Sequence, residues 1–190
     1  MIEIKNIFKS FGKSKVLHDI SAKFERGKTN LIIGQSGSGK TVLLKCLLGL
    51  YSFDQGELIY DNVYSSKMND EEKMNIKKEM GMVFQGSALF DSLSVLENVR
   101  FPLDMLTNYS EKKKDEIALK FIERVNLNDA INKLPSEISG GMQKRVGIAR
   151  AIVLNPKYLF CDEPNSGLDP KTAIVIDNLI QEITKEYNIT

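Results

Sequence analysis

Alternating apolar and polar positions open the chain. Residues 2–8 alternate with a period of two, and a second alternating run extends from Val16 to Phe24. The turn signal Phe11-Gly12-Lys13-Ser14 stands between the two runs. Alternation marks strands with one buried face, and a short turn joins neighbouring strands. The pattern therefore predicts an antiparallel pair of strands at the start of the chain.

Short apolar segments bounded by polar or glycine-rich residues predict further strands. They are Leu31 to Ile33, Gly56 to Tyr60, Met80 to Gln85 and Tyr158 to Cys161. The first and third of these are expected to be buried, and the fourth is an apolar strand that ends in two carboxylates.

Helical periodicity and capping residues predict six helices. They cover Val42 to Leu50, Asn69 to Glu79, a segment starting at Val95, a segment capped by Ser110, a segment from the glycines at 140–141 to Ile152, and Pro170 to Tyr187. In the second helix, helical spacing predicts that Met68, Met74 and Ile76 point inward. In the fourth, Ile117, Phe121, Ile122 and Val125 recur on one face.

Composition and charge narrow the class of protein. The 190 residues are 42% hydrophobic, which suits one core with a subdomain. The 26 basic and 25 acidic residues leave a net charge of +1, so we expect no nucleic-acid partner. Cys46 and Cys161 show no disulfide or metal spacing and are expected to be reduced. No window approaches the roughly 18 apolar residues of a spanning helix and no signal peptide is visible, so a membrane role would require a partner.

A glycine-rich segment carries the first chemical signal. Gly34-Gln35-Ser36-Gly37-Ser38-Gly39-Lys40-Thr41 follows an apolar segment and matches the phosphate-loop pattern in full. Glycines let backbone N–H groups surround phosphate oxygens, and the following helix adds its positive end. The lysine reaches the outer phosphates and the threonine hydroxyl can ligate Mg²⁺. The alternative is a plain Gly/Ser-rich turn between a strand and a helix.

Two carboxylates follow the apolar segment that ends at Cys161. Asp162 is expected to lie beside the phosphate loop and hold Mg²⁺ through water. Glu163 is expected to polarise a water molecule for in-line attack on the γ-phosphorus. The alternative is that the two acids merely cap the next helix.

Three motifs in sequence order resemble ABC-type ATPases. Ile138-Ser139-Gly140-Gly141-Met142-Gln143-Lys144-Arg145 is similar to the signature helix of that family. Asp162 to Pro170 is similar to its Walker B motif and D-loop. The resemblance covers the whole chain and implies an α/β phosphate-loop NTPase fold. It implies one domain over 1–190, with a RecA-like core at 1–89 and 156–190 that carries an antiparallel β subdomain, and an inserted helical subdomain at about 90–155.

The resemblance also implies which residues bind ATP and Mg²⁺. The expected nucleotide-binding residues are Phe11, Val16, Gly34, Gln35, Ser36, Gly37, Ser38, Gly39, Lys40, Thr41, Val42, Ser139, Gly140, Gly141 and Asp169. The expected Mg²⁺ ligands are Thr41, Gln85 and Asp162, and the expected catalytic residues are Glu163, Lys40 and Gln85. From the residues alone, Phe11 is an ordinary core aromatic; the resemblance implies that it stacks on adenine. Met142 replaces a glutamine that is frequent in the family.

The partners are likewise implied by resemblance. The family hydrolyses ATP as a head-to-tail homodimer, in which Ser139 to Gly141 of one copy face the nucleotide of the other. The helical subdomain is expected to contact a multi-span permease, which places the chain in the cytoplasm on the inner face of the membrane. Gly81 to Leu103 resembles the ATPase subunit of Mla (toluene-tolerance type) phospholipid transport systems, whose complexes include a periplasmic lipid-binding subunit.

Other functions are open alternatives. Amino-acid importers and lipoprotein-release ATPases share much of the same stretch. A soluble ABC ATPase that acts on DNA or ribosomes, and a kinase or GTPase with a phosphate loop, are further alternatives. The coiled coil or second ATPase domain that is usual in such soluble ABC ATPases is not found in this sequence. The guanine-reading Asn-Lys-x-Asp motif of a GTPase is not found either.

The resemblance further implies a switch histidine one strand after the last helix. The sequence ends at Thr190, before that strand could finish, and His18 lies on an early strand. We therefore expect that the C-terminal part of the domain is missing and that this chain binds nucleotide better than it hydrolyses it.

Overall fold

The computed structural model describes residues 1–190, beginning with an antiparallel sheet. Strand β1 (Ile2–Phe11) pairs with β2 (Ser14–Phe24), which confirms the predicted strand pair. Strands β3 (Gln55–Tyr60) and β4 (Val63–Tyr64) complete the sheet in the order β2-β1-β3-β4. Helix α1 (Lys40–Leu47) lies between β2 and β3 in the chain. It starts two residues earlier and ends three residues sooner than predicted, and Gly49 follows it with a φ of 66°.

A second sheet has two parallel strands. Helix α2 (Asp70–Lys78) leads into β5 (Met80–Val83), and β6 (Tyr158–Cys161) pairs with β5 in register from Met80↔Tyr158 to Val83↔Cys161. The chain between β5 and β6 forms helices α3 (Val95–Leu106), α4 (Glu111–Arg124) and α5 (Gly140–Ile152). Helix α6 (Pro170–Glu186) follows β6. Parallel strands require such a crossover connection, and here it is helical.

Two hydrophobic clusters stabilise the fold. One cluster is built mainly from α3, α4, α5 and α6 and includes Val99, Ile122, Val146 and Ile183, each fully buried. The other packs β1, β3 and α1 against β6 and includes Ile4, Leu47 and Tyr158. The division into a core at 1–89 and 156–190 and a helical subdomain at about 90–155 stays a prediction. Helix α6, which that prediction assigns to the core, packs in the same hydrophobic cluster as α3, α4 and α5.

Gly81 shows why β5 and α5 approach so closely. A Cβ atom built on Gly81 would lie 2.2 Å from the backbone oxygen of Ala151. Only glycine permits that backbone contact without a shift of the helix. The contact places α5 directly against β5, which leads into Gln85 two residues after its end.

The prediction of a buried strand from Leu31 to Ile33 was wrong. The segment forms no strand in the structure, and Leu31 and Ile33 are 79% and 85% exposed. Residues 29–32 and β6 both line one cavity of about 910 Å³. A strand requires a hydrogen-bonded neighbour, and the segment has none across that cavity.

Other expectations have mixed outcomes. Met68 is buried and Ile76 packs against the second cluster, whereas Met74 is 58% exposed, so its predicted inward position was wrong. Helix α2 is charged and short, and it buries no residue of its own. The apolar face predicted on α4 is confirmed by buried Phe121 and Ile122.

None of the helices combines the length and apolar character needed to cross a membrane.

Candidate functional site

The phosphate-loop segment turns sharply into α1. Gly37 and Gly39 have φ values of 79° and 94°, in the left-handed region that glycine adopts freely. Gly39 lies against β2, since a Cβ atom there would come within 3.1 Å of Val16 Cγ1. No side chain caps the N-terminus of α1. Its first N–H groups are therefore free to bind an anion, so the loop fits a phosphate group.

Lys40 is already held over this loop. Its Nζ donates hydrogen bonds to the backbone oxygens of Gly34 at 2.8 Å and Gln35 at 2.9 Å. These carbonyls place a positive charge beside the free N–H groups of α1. The arrangement brings together the cation and the amide donors that phosphate oxygens prefer.

Thr41 and Asp162 meet at the start of α1. The Thr41 hydroxyl donates a long hydrogen bond of 3.4 Å to Asp162 Oδ1, and the Asp162 N–H donates to the Val83 oxygen at 3.0 Å. No group of three or more His, Cys, Asp or Glu side chains is arranged so that it could hold a metal ion by itself. Magnesium in nucleotide sites uses one or two carboxylates together with phosphate oxygens and water, so this hydroxyl and carboxylate fit Mg²⁺.

Gln85 and Glu163 contact each other after the two parallel strands. Gln85 Nε2 donates to Glu163 Oε2 at 3.0 Å and also lies 3.4 Å from the Ser166 hydroxyl oxygen. Glu163 has a φ of 47°, an unusual value for glutamate. Since β5 and β6 run parallel, their carboxyl ends present Gln85, Asp162 and Glu163 at the same edge. The cavity of about 910 Å³ includes Lys40 and both carboxylates in its lining.

Phe11 lies apart from this group, at the end of β1. It is 45% exposed and forms an edge-to-face pair with Tyr51, with the ring centroids 5.5 Å apart. Lys9 Nζ lies 5.2 Å from the Phe11 ring centroid. Phe11 is therefore not the core aromatic that the residues alone suggested, and it offers a flat apolar surface. No pattern in the sequence identifies Tyr51 as its neighbour.

Ser139, Gly140, Gly141 and Asp169 lie outside the group formed around Lys40. Ser139 caps α5 by accepting from the Met142 N–H at 3.3 Å. Ser139 and Gly141 line a separate cleft of about 400 Å³ that also includes Arg145 and Lys171. Asp169 caps α6, and hydrogen bonds from Thr172 and Lys171 lower the pKa of its carboxyl group. One copy of the chain thus has two separate candidate sites for anions.

Lys144, Arg150 and Ser166 were not selected from the sequence. Lys144 and Arg150 donate to backbone oxygens of residues 85–88, which follow β5. The one signal that could have identified the two cations is their spacing on α5, with Gly147 midway between them. Ser166 gave no signal beyond its proximity to Asp162 in sequence.

A phosphate-binding loop at the start of a helix, with carboxylates at the ends of parallel strands, defines a phosphate-loop nucleotide-binding fold. The family model for ABC transporters matches residues 17–166. The chain belongs to the ABC transporter family, as one of its ATP-binding cassettes.

Relatives and solved structures agree with this classification. The chain is 42% identical over 190 residues to the methionine import ATP-binding protein MetN of Clostridium tetani, covering all of this chain and 59% of that protein. It is 39% identical to the glutamine transport ATP-binding protein GlnQ of Escherichia coli, covering 98% of this chain and 77% of that protein. A dimeric ATP-binding cassette bound to ADP and Pi in a post-hydrolysis state superposes with a TM-score of 0.84 and 32% identity, covering 99% of this chain and 84% of that one. The chain thus spans little more than half the length of its methionine-import relatives.

Proposed function

We propose that this chain binds and hydrolyses ATP with Mg²⁺ and powers an ABC transporter. The observation that carries the proposal is the meeting of Lys40, Thr41 and Asp162 with the Gln85–Glu163 pair at the ends of two parallel strands. Phosphoryl transfer requires positioning and charge stabilisation more than covalent chemistry. The cation, hydroxyl, carboxylates and free amides of this site supply both.

Each side chain has a distinct proposed role. Lys40 and the amides of Gly34 to Val42 hold the phosphates. Thr41, Gln85 and Asp162 would hold Mg²⁺, which when bound neutralises charge on the phosphate oxygens. Glu163 orients and polarises the attacking water, and Gln85 holds the Glu163 carboxylate through its 3.0 Å hydrogen bond.

The proposal assigns the remaining residues to the base and to a second copy. Phe11 stacks on adenine with Val16 beside it, because an exposed aromatic face suits a flat base. Ser139 to Gly141 and Asp169 complete the nucleotide site of the partner copy in a head-to-tail homodimer. The dimeric cassette among the structural neighbours supports this arrangement.

The test of the catalytic role is Glu163→Gln in the full-length protein, a change that retains size and removes the charge. We expect the ATP dissociation constant to change less than about threefold, while turnover falls at least about 10²-fold because general-base assistance is lost. The variant should also accumulate as an ATP-bound dimer, measured by light scattering. Glu71→Gln, on the exposed surface of α2, is the matched control and should leave both properties unchanged. Turnover close to the unmodified level in Glu163→Gln would refute the role given to Glu163.

For the transported molecule we propose phospholipid, with the helical segment at about 90–155 contacting a permease at the cytoplasmic face of the membrane. The support is the resemblance of Gly81 to Leu103 to phospholipid transport ATPases. The methionine-import relatives favour amino-acid import as the second candidate. Purification of the full-length protein from membranes with its permease distinguishes them. A periplasmic lipid-binding subunit in the complex supports phospholipid transport, whereas a binding protein for amino acids refutes it.

A further inference from the structure

A sharp turn follows β5 and contains two strained residues. We define the Gln85 turn as residues 84–88. The Ser87 N–H donates to the Phe84 oxygen at 3.0 Å, which closes the turn. Ser87 and Ala88 have φ values of 61° and 47°, which L-residues with a Cβ atom rarely adopt. Consecutive left-handed residues of this kind persist only where the surroundings hold them in place.

Two cations on α5 hold this turn through its backbone. Lys144 Nζ donates to the Gln85 oxygen. The Arg150 guanidinium donates to the Ser87 oxygen at 2.7 Å and the Ala88 oxygen at 2.8 Å. Gly147 lies between the two cations on the same helix face, where a Cβ atom would be 3.6 Å from the Ser87 oxygen. One face of α5 thus contacts the backbone oxygens of three residues of the turn, Gln85, Ser87 and Ala88.

Lys144 is unusual because it is buried without an acidic partner. The residue is 6% exposed, and its amino group forms no salt bridge. Burial lowers the pKa of Lys144. A buried cation without a carboxylate is costly, so a purely structural position would be better filled by an apolar side chain. Its one hydrogen-bond partner is the backbone of the residue whose side chain contacts Glu163.

We propose that Lys144 and Arg150 are positioning residues for ATP hydrolysis, which fix the Gln85 turn so that the Gln85 amide holds the Glu163 carboxylate. The inference rests on the proposed ATPase function. Helix α5 also begins at Ser139 to Gly141, so the same rigid helix connects the cleft at its N-terminus with the Gln85–Glu163 pair. Lys144 lies four residues from Gly140, a rise of about 6 Å.

The test compares Lys144→Met, which keeps an apolar stem of similar length, with Lys144→Arg, which keeps the cation. In the full chain we expect Lys144→Met to lower kcat by about 10- to 100-fold through misplacement of Gln85. The ATP dissociation constant should change less than about threefold, because Lys144 does not touch the phosphate loop. Lys144→Arg should restore most of the rate. Lys120→Met, on the exposed face of α4, is the matched control.

Hydrogen exchange provides a readout that does not depend on catalysis. Lys144→Met should speed exchange of the amides in residues 84–90 and leave those of α4 unchanged. Arg150→Lys, which keeps the charge but loses the two-pronged contact, should do the same and serves if Lys144→Met does not fold. Normal kcat and normal exchange in these variants would overturn the proposal. If the unmodified full-length protein binds ATP without hydrolysing it, the proposed function fails, and exchange in residues 84–90 still decides whether the two cations hold the turn.

Discussion

Single residues in left-handed backbone conformations mark the candidate site. Apart from Ser87, Ala88 and Glu163, every non-glycine residue with a positive φ is an asparagine or an aspartate. Asparagine and aspartate tolerate this region because their short side chains bond locally. The three exceptions all follow β5 or β6, close to the Gln85–Glu163 contact. Strain at a site is a known feature of functional positions, and no sequence pattern at Ser87, Ala88 or Glu163 indicates it.

Because Ala88 has a strained backbone conformation, replacing it with glycine should stabilise the protein. Ala88→Gly should raise the free energy of unfolding by about 1 kcal/mol, because glycine removes the Cβ cost of the left-handed conformation. Ala118→Gly in the buried interior of α4 should lower it by about 1 kcal/mol or more. Urea denaturation of the two variants measures both effects. Equal destabilisation by the two changes would show that Ala88 is not strained.

Helix starts are the elements that the sequence predicted well. The caps of α2, α3, α4, α5 and α6 are side chains of Asn69, Ser94, Ser110, Ser139 and Asp169. Such residues are recognisable because their side chains accept from the first N–H groups of the helix. Helix α1 differs, since glycine precedes it and no side chain caps it. The same local rule that predicts helix starts thus also identifies the one start left open for an anion.

The cap of α6 predicts a stability that depends on pH. The hydrogen bonds to Asp169 lower the pKa of its carboxyl below the ordinary 3.8, so its stabilising effect is complete above about pH 4 and is lost as pH falls through the lowered pKa. Asp169→Ala should lower the melting temperature by about 2–4 °C at pH 7. That difference should shrink below pH 3, as measured by circular dichroism without nucleotide. Asp169→Asn keeps the cap and should lower the melting temperature less at pH 7. If the difference in melting temperature between Asp169→Ala and the unmodified chain is the same from pH 7 to pH 2.5, the prediction is wrong.

Over the whole molecule, motifs were more predictable than their surroundings. Phosphate loop, carboxylates and capped helices follow from local chemistry. In the structure Thr41 is bonded to Asp162 and Gln85 to Glu163, and Lys40 lines the same cavity as the two carboxylates. Whether residues 31–33 form a strand could not be predicted, because an apolar segment becomes a strand only if another strand lies beside it. The contacts of Lys144 and Arg150 with residues 85–88 were equally hidden, since they depend on how close α5 lies to β5.

The exposed segment predicts the behaviour of the 190-residue chain in isolation. Leu31 and Ile33 present exposed apolar side chains to solvent, which favours dye binding and self-association. The chain should bind the dye ANS, and Leu31→Lys should lower the fluorescence by roughly half. Val63→Lys, at a residue of β4 that is 49% exposed, is the control and should lower it less. Fluorescence at the level of the dye alone would contradict the prediction.

The parallel pairing of β5 with β6 has a consequence for how this fold can diversify. All of α3, α4 and α5 lie in one excursion between two strands that are hydrogen-bonded neighbours. The entropy of closing an excursion grows with the logarithm of its length, so doubling it costs only about 0.6 kcal/mol. The loops of this excursion can therefore gain or lose residues with little effect on the stability of the β5–β6 pair. Proteins with this fold can therefore keep the same nucleotide site while the surface formed by α3, α4 and α5 changes.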